Sequence, residues 1–129
     1  MRFPQLIIYE TDGRLARMLE ATAGTHRWAL REPRLVDSCL RLLRQGDPAI
    51  VVVKVESDLE STFTLVEQMA WFFPDVAMVV VLDRDEAMLS ELAWDLGAAF
   101  VLAPPQPRER LLDVVANLMG DEPNDNEPA

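Results

Sequence analysis

Ala49-Ile50-Val51-Val52-Val53-Lys54 is the stretch on which the reading of this chain turns. Five apolar residues, four of them β-branched, follow one another without a polar break. A strand with one wet face alternates apolar and polar residues. A continuous run implies that both faces are covered, as in a parallel sheet with helices above and below. Lys54 then stands at the carboxyl end of the strand, the edge of an open parallel sheet where ligands bind.

Working outward, Ala77 to Leu82 is a second continuous apolar run, and three shorter strands are expected at Leu6 to Tyr9, Arg27 to Leu30 and Ala99 to Leu102. In the second of these, Trp28 and Leu30 share a face. Helical spacing fills the intervals. A helix from Asp12 to Ala23 sets Leu15, Met18, Leu19 and Thr22 on one side and stops at Gly24. Pro33 opens a second, running to Gln45 and ending at Gly46, the usual placing of proline and glycine. Ser57 and Glu60 have the spacing of a capping box. The third helix that follows carries Leu59, Phe63, Val66, Ala70 and Phe73 in one stripe and stops at Pro74. A fourth runs from Asp85 to Leu96 and closes at Gly97. The last opens at Pro107, places Leu111, Val114, Val115 and Leu118 inward and closes at Gly120.

Strands alternating with helices in this way predict one α/β domain over residues 1–120, a three-layer sandwich around a five-stranded parallel sheet with five helices. Right-handed crossovers favour the strand order 2-1-3-4-5 of the flavodoxin-like class, which puts the most apolar strands at the centre. Residues 121–129, acidic and proline-containing, are expected to be a disordered tail.

Composition narrows the function. The chain of 129 residues is half hydrophobic, which suits a packed core. Its formal net charge is −10, and four of those charges lie in the tail. An acidic body disfavours binding to nucleic acid or to an anionic membrane, since both recruit basic surface. No apolar run approaches the roughly 20 residues of a membrane span. The amino-terminal segment lacks the form of a signal peptide, so a cytoplasmic protein is expected. The single cysteine, Cys39, reads as a small buried apolar residue in mid-helix.

Several chemistries find no support. His26 and Cys39 lack the spacing and number of a metal site. The chain contains neither GxGxxG nor GxxxxGK[ST], so no phosphate-cradling glycine loop is present. Glu10-Thr11-Asp12-Gly13 is too acidic to hold a flavin phosphate, and there is no Asp-x-His-x-x-Gly motif of the cobalamin binders and no nucleophile elbow. No enzyme activity, cofactor or metal is expected.

The element order, the helix lengths and the segment Gly97-Ala98-Ala99-Phe100-Val101-Leu102 resemble the bacterial response-regulator receiver domain over roughly residues 5–120. The resemblance implies a phosphorylation site with an acidic pair for magnesium, an aspartate as phosphoryl acceptor, a hydroxyl and a lysine. The matching positions in this chain are Glu10 and Thr11, Lys54, Leu82 and Pro104. Only Glu10 keeps an acid. In the family the lysine precedes a proline often joined by a cis bond, and Pro105 occupies that place. Phosphoryl transfer needs a carboxylate nucleophile, oxygen-ligated metal and donors for the moving charge. Lys54 offers no carboxylate and repels a divalent cation, Leu82 offers no hydroxyl, and Pro104 offers neither charge nor N–H. The resemblance is therefore to a degenerate, or pseudo-, receiver.

Three roles for Lys54 stay open: a fixed ion-pair cluster with Glu10, Asp12 and Asp83, a lysine made reactive by burial, or a solvated side chain without a role. With the usual chemistry gone, apolar surface becomes the lead. Trp71 and Phe72 at the end of the third helix, and Trp94 on the fourth, are candidate interface anchors or, alternatively, satellite core. Receivers commonly dimerise through the fourth helix, fifth strand and fifth helix. In this chain that surface would carry Glu91, Trp94, Asp95, Arg108 and Arg110, whose mixed charges suit a two-fold contact or a plain solvated face. The function expected is a non-phosphorylatable protein–protein interaction module in bacterial signalling or regulation, with a homodimer as one form. The alternative is a small-ligand sensor using the pocket at the carboxyl edge of the sheet.

Overall fold

A computed structural model describes residues 4–46, 48–56 and 58–120. In chain order the elements are β1 (Gln5–Tyr9), α1 (Arg14–His26), β2 (Ala29–Arg31), α2 (Val36–Arg44), β3 (Pro48–Val55), α3 (Leu59–Phe72), β4 (Ala77–Leu82), α4 (Ala87–Asp95), β5 (Phe100–Leu102) and α5 (Arg110–Leu118). The five strands form one sheet of order β2-β1-β3-β4-β5, and every neighbouring pair is parallel.

The continuous apolar runs fill both faces, as a parallel sheet demands. Successive side chains point to opposite sides, so β1 sends Leu6 and Ile8 one way and Ile7 the other. β3 divides Ile50 and Val52 from Val51, Val53 and Val55. The first set packs on α1 through Leu15, Ala16, Leu19 and Ala23 and on α5 through Leu111, Val114 and Val115. The second packs on α2 through Cys39, Leu40 and Leu43, on α3 through Leu65, Val66 and Met69, and on α4 through Ala93. A buried valine or leucine of this kind contributes about 1.5–3 kcal/mol, which is why the central strands set the architecture. Burial pushes the Cys39 thiol up to about 12, in keeping with an unreactive core position. No helix among the described residues is long and apolar enough to cross a membrane.

The structure corrects several expected boundaries and faces. α1 begins at Arg14 and runs through Gly24 to His26. Arg27, left-handed with φ 60°, ends it by donating its N–H to the carbonyls of Ala23 and Gly24. Trp28 is buried directly beyond this turn, so the chain must stay helical long enough to deliver it to the core. The buried face of α1 includes Ala16 and Ala23, while Met18 and Thr22 sit at its margin. α2 starts at Val36, three residues after Pro33: Leu35 is still extended, and Arg34 before it reaches across to the Thr11 carbonyl. α3 takes Asp58 as its cap, its carboxylate accepting from the Ser61 N–H at 3.2 Å. Ser57, expected as the cap, lies outside the described residues. α3 buries Thr62, Leu65, Val66 and Met69. Phe63, Ala70 and Phe73 are half-buried and Leu59 is exposed, so the helix is rotated from the expected stripe. α5 begins at Arg110 and leaves Leu118 exposed. The tail from residue 121 lies outside the described residues.

Candidate functional site at the carboxyl edge of the sheet

The strand ends bring four loops together at one edge. After β1 come Glu10, Thr11 and Asp12; Lys54 is the penultimate residue of β3, and Glu56 follows the strand. Leu82 ends β4, with Asp83 next, and β5 leads into Ala103, Pro104 and Pro105. The Pro104–Pro105 bond is cis.

Lys54 is only 5% exposed. Its ammonium lies 3.1 Å from Asp12 Oδ2 and 3.5 Å from Glu56 Oε2. Thr11 ties the second carboxylate down by donating its hydroxyl to Glu56 Oε1 at 2.6 Å. An ammonium with three donors and no acceptor suits a place between two carboxylates. Asp12 also accepts from the Arg14 backbone N–H at 3.1 Å. That bond, with the Lys54 ammonium as the next stabilising influence, holds the Asp12 carboxyl down at about 2 against the opposing effect of burial.

Glu10 is 2% exposed. Its oxygens accept from the Leu15 and Ala16 N–H groups at 3.0 and 2.9 Å. These are early donors of α1 with no partner inside the helix, so the carboxylate acts as a tertiary cap and sits favourably at the positive end of the helix dipole. Asp83 goes elsewhere: it is paired with Arg108. Of the four residues expected in one charge cluster, Asp12 and Lys54 make an ion pair, Glu10 adjoins Asp12 while serving the α1 backbone, and Asp83 is committed to Arg108 in the turn before α5. Glu56 takes the remaining place. It follows β3 directly, and a carboxylate two residues after Lys54 was its only sequence signal.

The donor set does not fit a divalent metal ion held as in the receiver family. An ammonium occupies the space between the Asp12 and Glu56 carboxylates, and both Glu10 oxygens are spent on backbone N–H groups. Leu82 is buried and apolar where a hydroxyl would stand.

Two hollows open on this edge. One, of about 280 Å³, lies between the ends of β3 and β4 and is lined by Glu56, Leu59, Leu82, Asp83 and Leu89 among others. The other, of about 440 Å³, lies between the starts of α2 and α3, with Lys54 in its wall.

The aromatic candidates lie away from this edge. Trp71 is 79% and Phe72 68% exposed at the end of α3. Trp71 is opposite the buried face of that helix. Trp94 is 48% exposed and meets Phe100 edge-on, with centroids 6.1 Å apart. The Arg110 guanidinium lies 5.5 Å from the same ring centroid. Trp94 and Arg110 are thus joined on β5, Glu91 and Asp95 are exposed one turn apart on α4, and Arg108 is held by Asp83.

No family model matches the sequence, and no curated protein does. Solved structures share its fold. A response regulator from Thermotoga maritima is similar with 17% identity and a TM-score of 0.76, over 93% of this chain and 100% of that one. The receiver domain of NtrX from Brucella abortus is similar with 15% identity and a TM-score of 0.74, over 91% and 99%. An orphan response regulator of H. pylori gives 13% and 0.75, over 90% and 96%. At these identities the likeness is one of fold: the chain has the receiver-domain architecture, with the strand order and helix count expected from its sequence.

Proposed function

We propose that this chain is a receiver-like module that takes up no phosphoryl group and works by presenting a fixed surface to a protein partner in bacterial signalling or regulation, within the cytoplasm. The observation that carries this reading is Lys54: a buried ammonium at the acceptor position, held by Asp12 and Glu56. It supplies from the chain itself a positive charge between carboxylates, so one arrangement of the edge is favoured without a metal or a phosphate. Thr11, Leu82 and Pro104 support the same reading: Thr11 lacks the second carboxylate charge, Leu82 the hydroxyl and Pro104 the cation.

Two surfaces suit a partner. Trp71 and Phe72 give an exposed aromatic pair of the kind that anchors interfaces. The face formed by α4, β5 and α5 suits a second copy of the chain. A two-fold axis there sets the acidic Glu91 and Asp95 of one copy against Arg110 of the other, around Trp94. Sedimentation velocity tests this reading. A concentration-dependent dimer is expected, weakened in Arg110→Glu, and unchanged by acetyl phosphate with magnesium. A dimer that forms only with the phosphodonor contradicts it.

A further inference from the structure

We propose that the hollow of about 440 Å³ between the starts of α2 and α3 binds a small zwitterion with an apolar body, of the amino-acid to dipeptide class. Its volume falls in the range of about 300–1,000 Å³ usual for small-molecule sites. Its wall carries charges of both signs that form no ion pair among the described residues. Arg34 donates to the Thr11 carbonyl and has no carboxylate partner among the described residues. Next to it, α2 starts at Val36, and Leu35 before it provides no side-chain cap for the first N–H groups of the helix. Arg34 and this helix start suit a carboxylate. Asp37 and Asp58 lie in the same wall, and neither forms an ion pair among the described residues. Asp58 is engaged by Ser61, through its hydroxyl first and its backbone N–H second, which keeps the carboxyl below the usual range and therefore charged. Tyr9 and Leu35, the latter 66% exposed, also line the hollow and give an apolar surface that a ligand body would cover.

The sign of the charges selects the ligand. A simple anion meets Asp37, Glu56 and Asp58; a simple cation meets Arg34 and Lys54. A molecule carrying both charges across an apolar span satisfies each side. Lys54, already held by two carboxylates, serves as wall and leaves Arg34 as the cation free to engage.

The test is a titration of ¹⁵N-labelled full-length chain with L-amino acids and with dipeptides containing one large apolar residue. Acetate and methylammonium at matched ionic strength are the single-charge controls. At least one zwitterion is expected to give saturable amide shifts centred on Thr11, Val36, Glu56 and Ser61. Arg34→Gln, an exposed change, should weaken that binding by about tenfold or more. Asp58→Asn, which keeps an N-cap residue, should weaken it as well. Trp71→Ala should leave it unchanged. Absence of saturable shifts with every zwitterion, equal shifts with acetate or methylammonium alone, or binding indifferent to both Arg34→Gln and Asp58→Asn would overturn the proposal. None of these readouts depends on phosphorylation or on a protein partner.

Discussion

Lys54 carries a charge into a place where only 5% of it meets solvent. Removing an ammonium from water is unfavourable by several kcal/mol, and close carboxylates repay that only when the geometry is good. Asp12 and Glu56 at 3.1 and 3.5 Å meet the condition, and Thr11 fixes Glu56. The arrangement selects one conformation of the edge more than it adds stability. Removing one member is another matter. Lys54→Met keeps the bulk of the chain but leaves two carboxylates facing each other, and it should lower the unfolding free energy in urea by about 1–3 kcal/mol. This is less than for a fully buried pair because Asp12 reaches solvent. Asp12 gives a pH test. Its pKa is lowered from 3.8 to about 2 on folding, so its contribution is complete above about 3.8 and is lost as the pH falls through about 2. The stability advantage of the native chain over Asp12→Asn should therefore be level from neutral pH down to that upper value, then shrink steadily in more acid solution. An advantage that shrinks between pH 7 and 5 would contradict the assignment.

At the level of elements, legibility followed the source of the determining force. β3 and β4 were readable because an unbroken run of β-branched residues has one cheap solution, a strand buried on both faces. The same run placed Lys54 at the carboxyl edge of the sheet. The start of α2 was not readable from local preference. Pro33 favours the first turn of a helix, but the chain stays extended through Leu35, and Arg34 is engaged with the Thr11 carbonyl, more than 20 residues away in the chain. Asp83 likewise looked available to Lys54, but the turn before α5 brings Arg108 beside it. The end of α1 shows the same override: Gly24 looks like a stop, yet the helix passes through it to position Trp28. This makes a distinguishing prediction. A Cβ added at Gly24 meets nothing within 4 Å, and its backbone is helical. Gly24→Ala should therefore raise the unfolding free energy by about 0.5–1 kcal/mol. A glycine that ended the helix in the left-handed region would be destabilised by the same change. The thermal midpoint read by circular dichroism separates the two.

At the scale of the whole molecule, the chain pairs a receiver architecture with an edge built for a different balance of charge. Response regulators as distant as 13–17% in identity share the fold across nearly its full length. The fold therefore does not by itself specify the activity. What distinguishes this chain is a set of side chains at one edge: the ammonium of Lys54 between Asp12 and Glu56, both oxygens of Glu10 on the α1 backbone, and the apolar Leu82. Under the proposed function the edge holds a single state, and recognition passes to exposed surface, the aromatic end of α3 and the α4-β5-α5 face. The most direct measurement is the intact mass of the purified chain after incubation with acetyl phosphate and magnesium, with a phosphorylatable receiver treated in parallel. An unchanged mass is expected for this chain while the control gains one phosphoryl group. A stable gain of one phosphoryl group, lost on substitution of Asp12, Glu56 or Asp83, would contradict the proposed function.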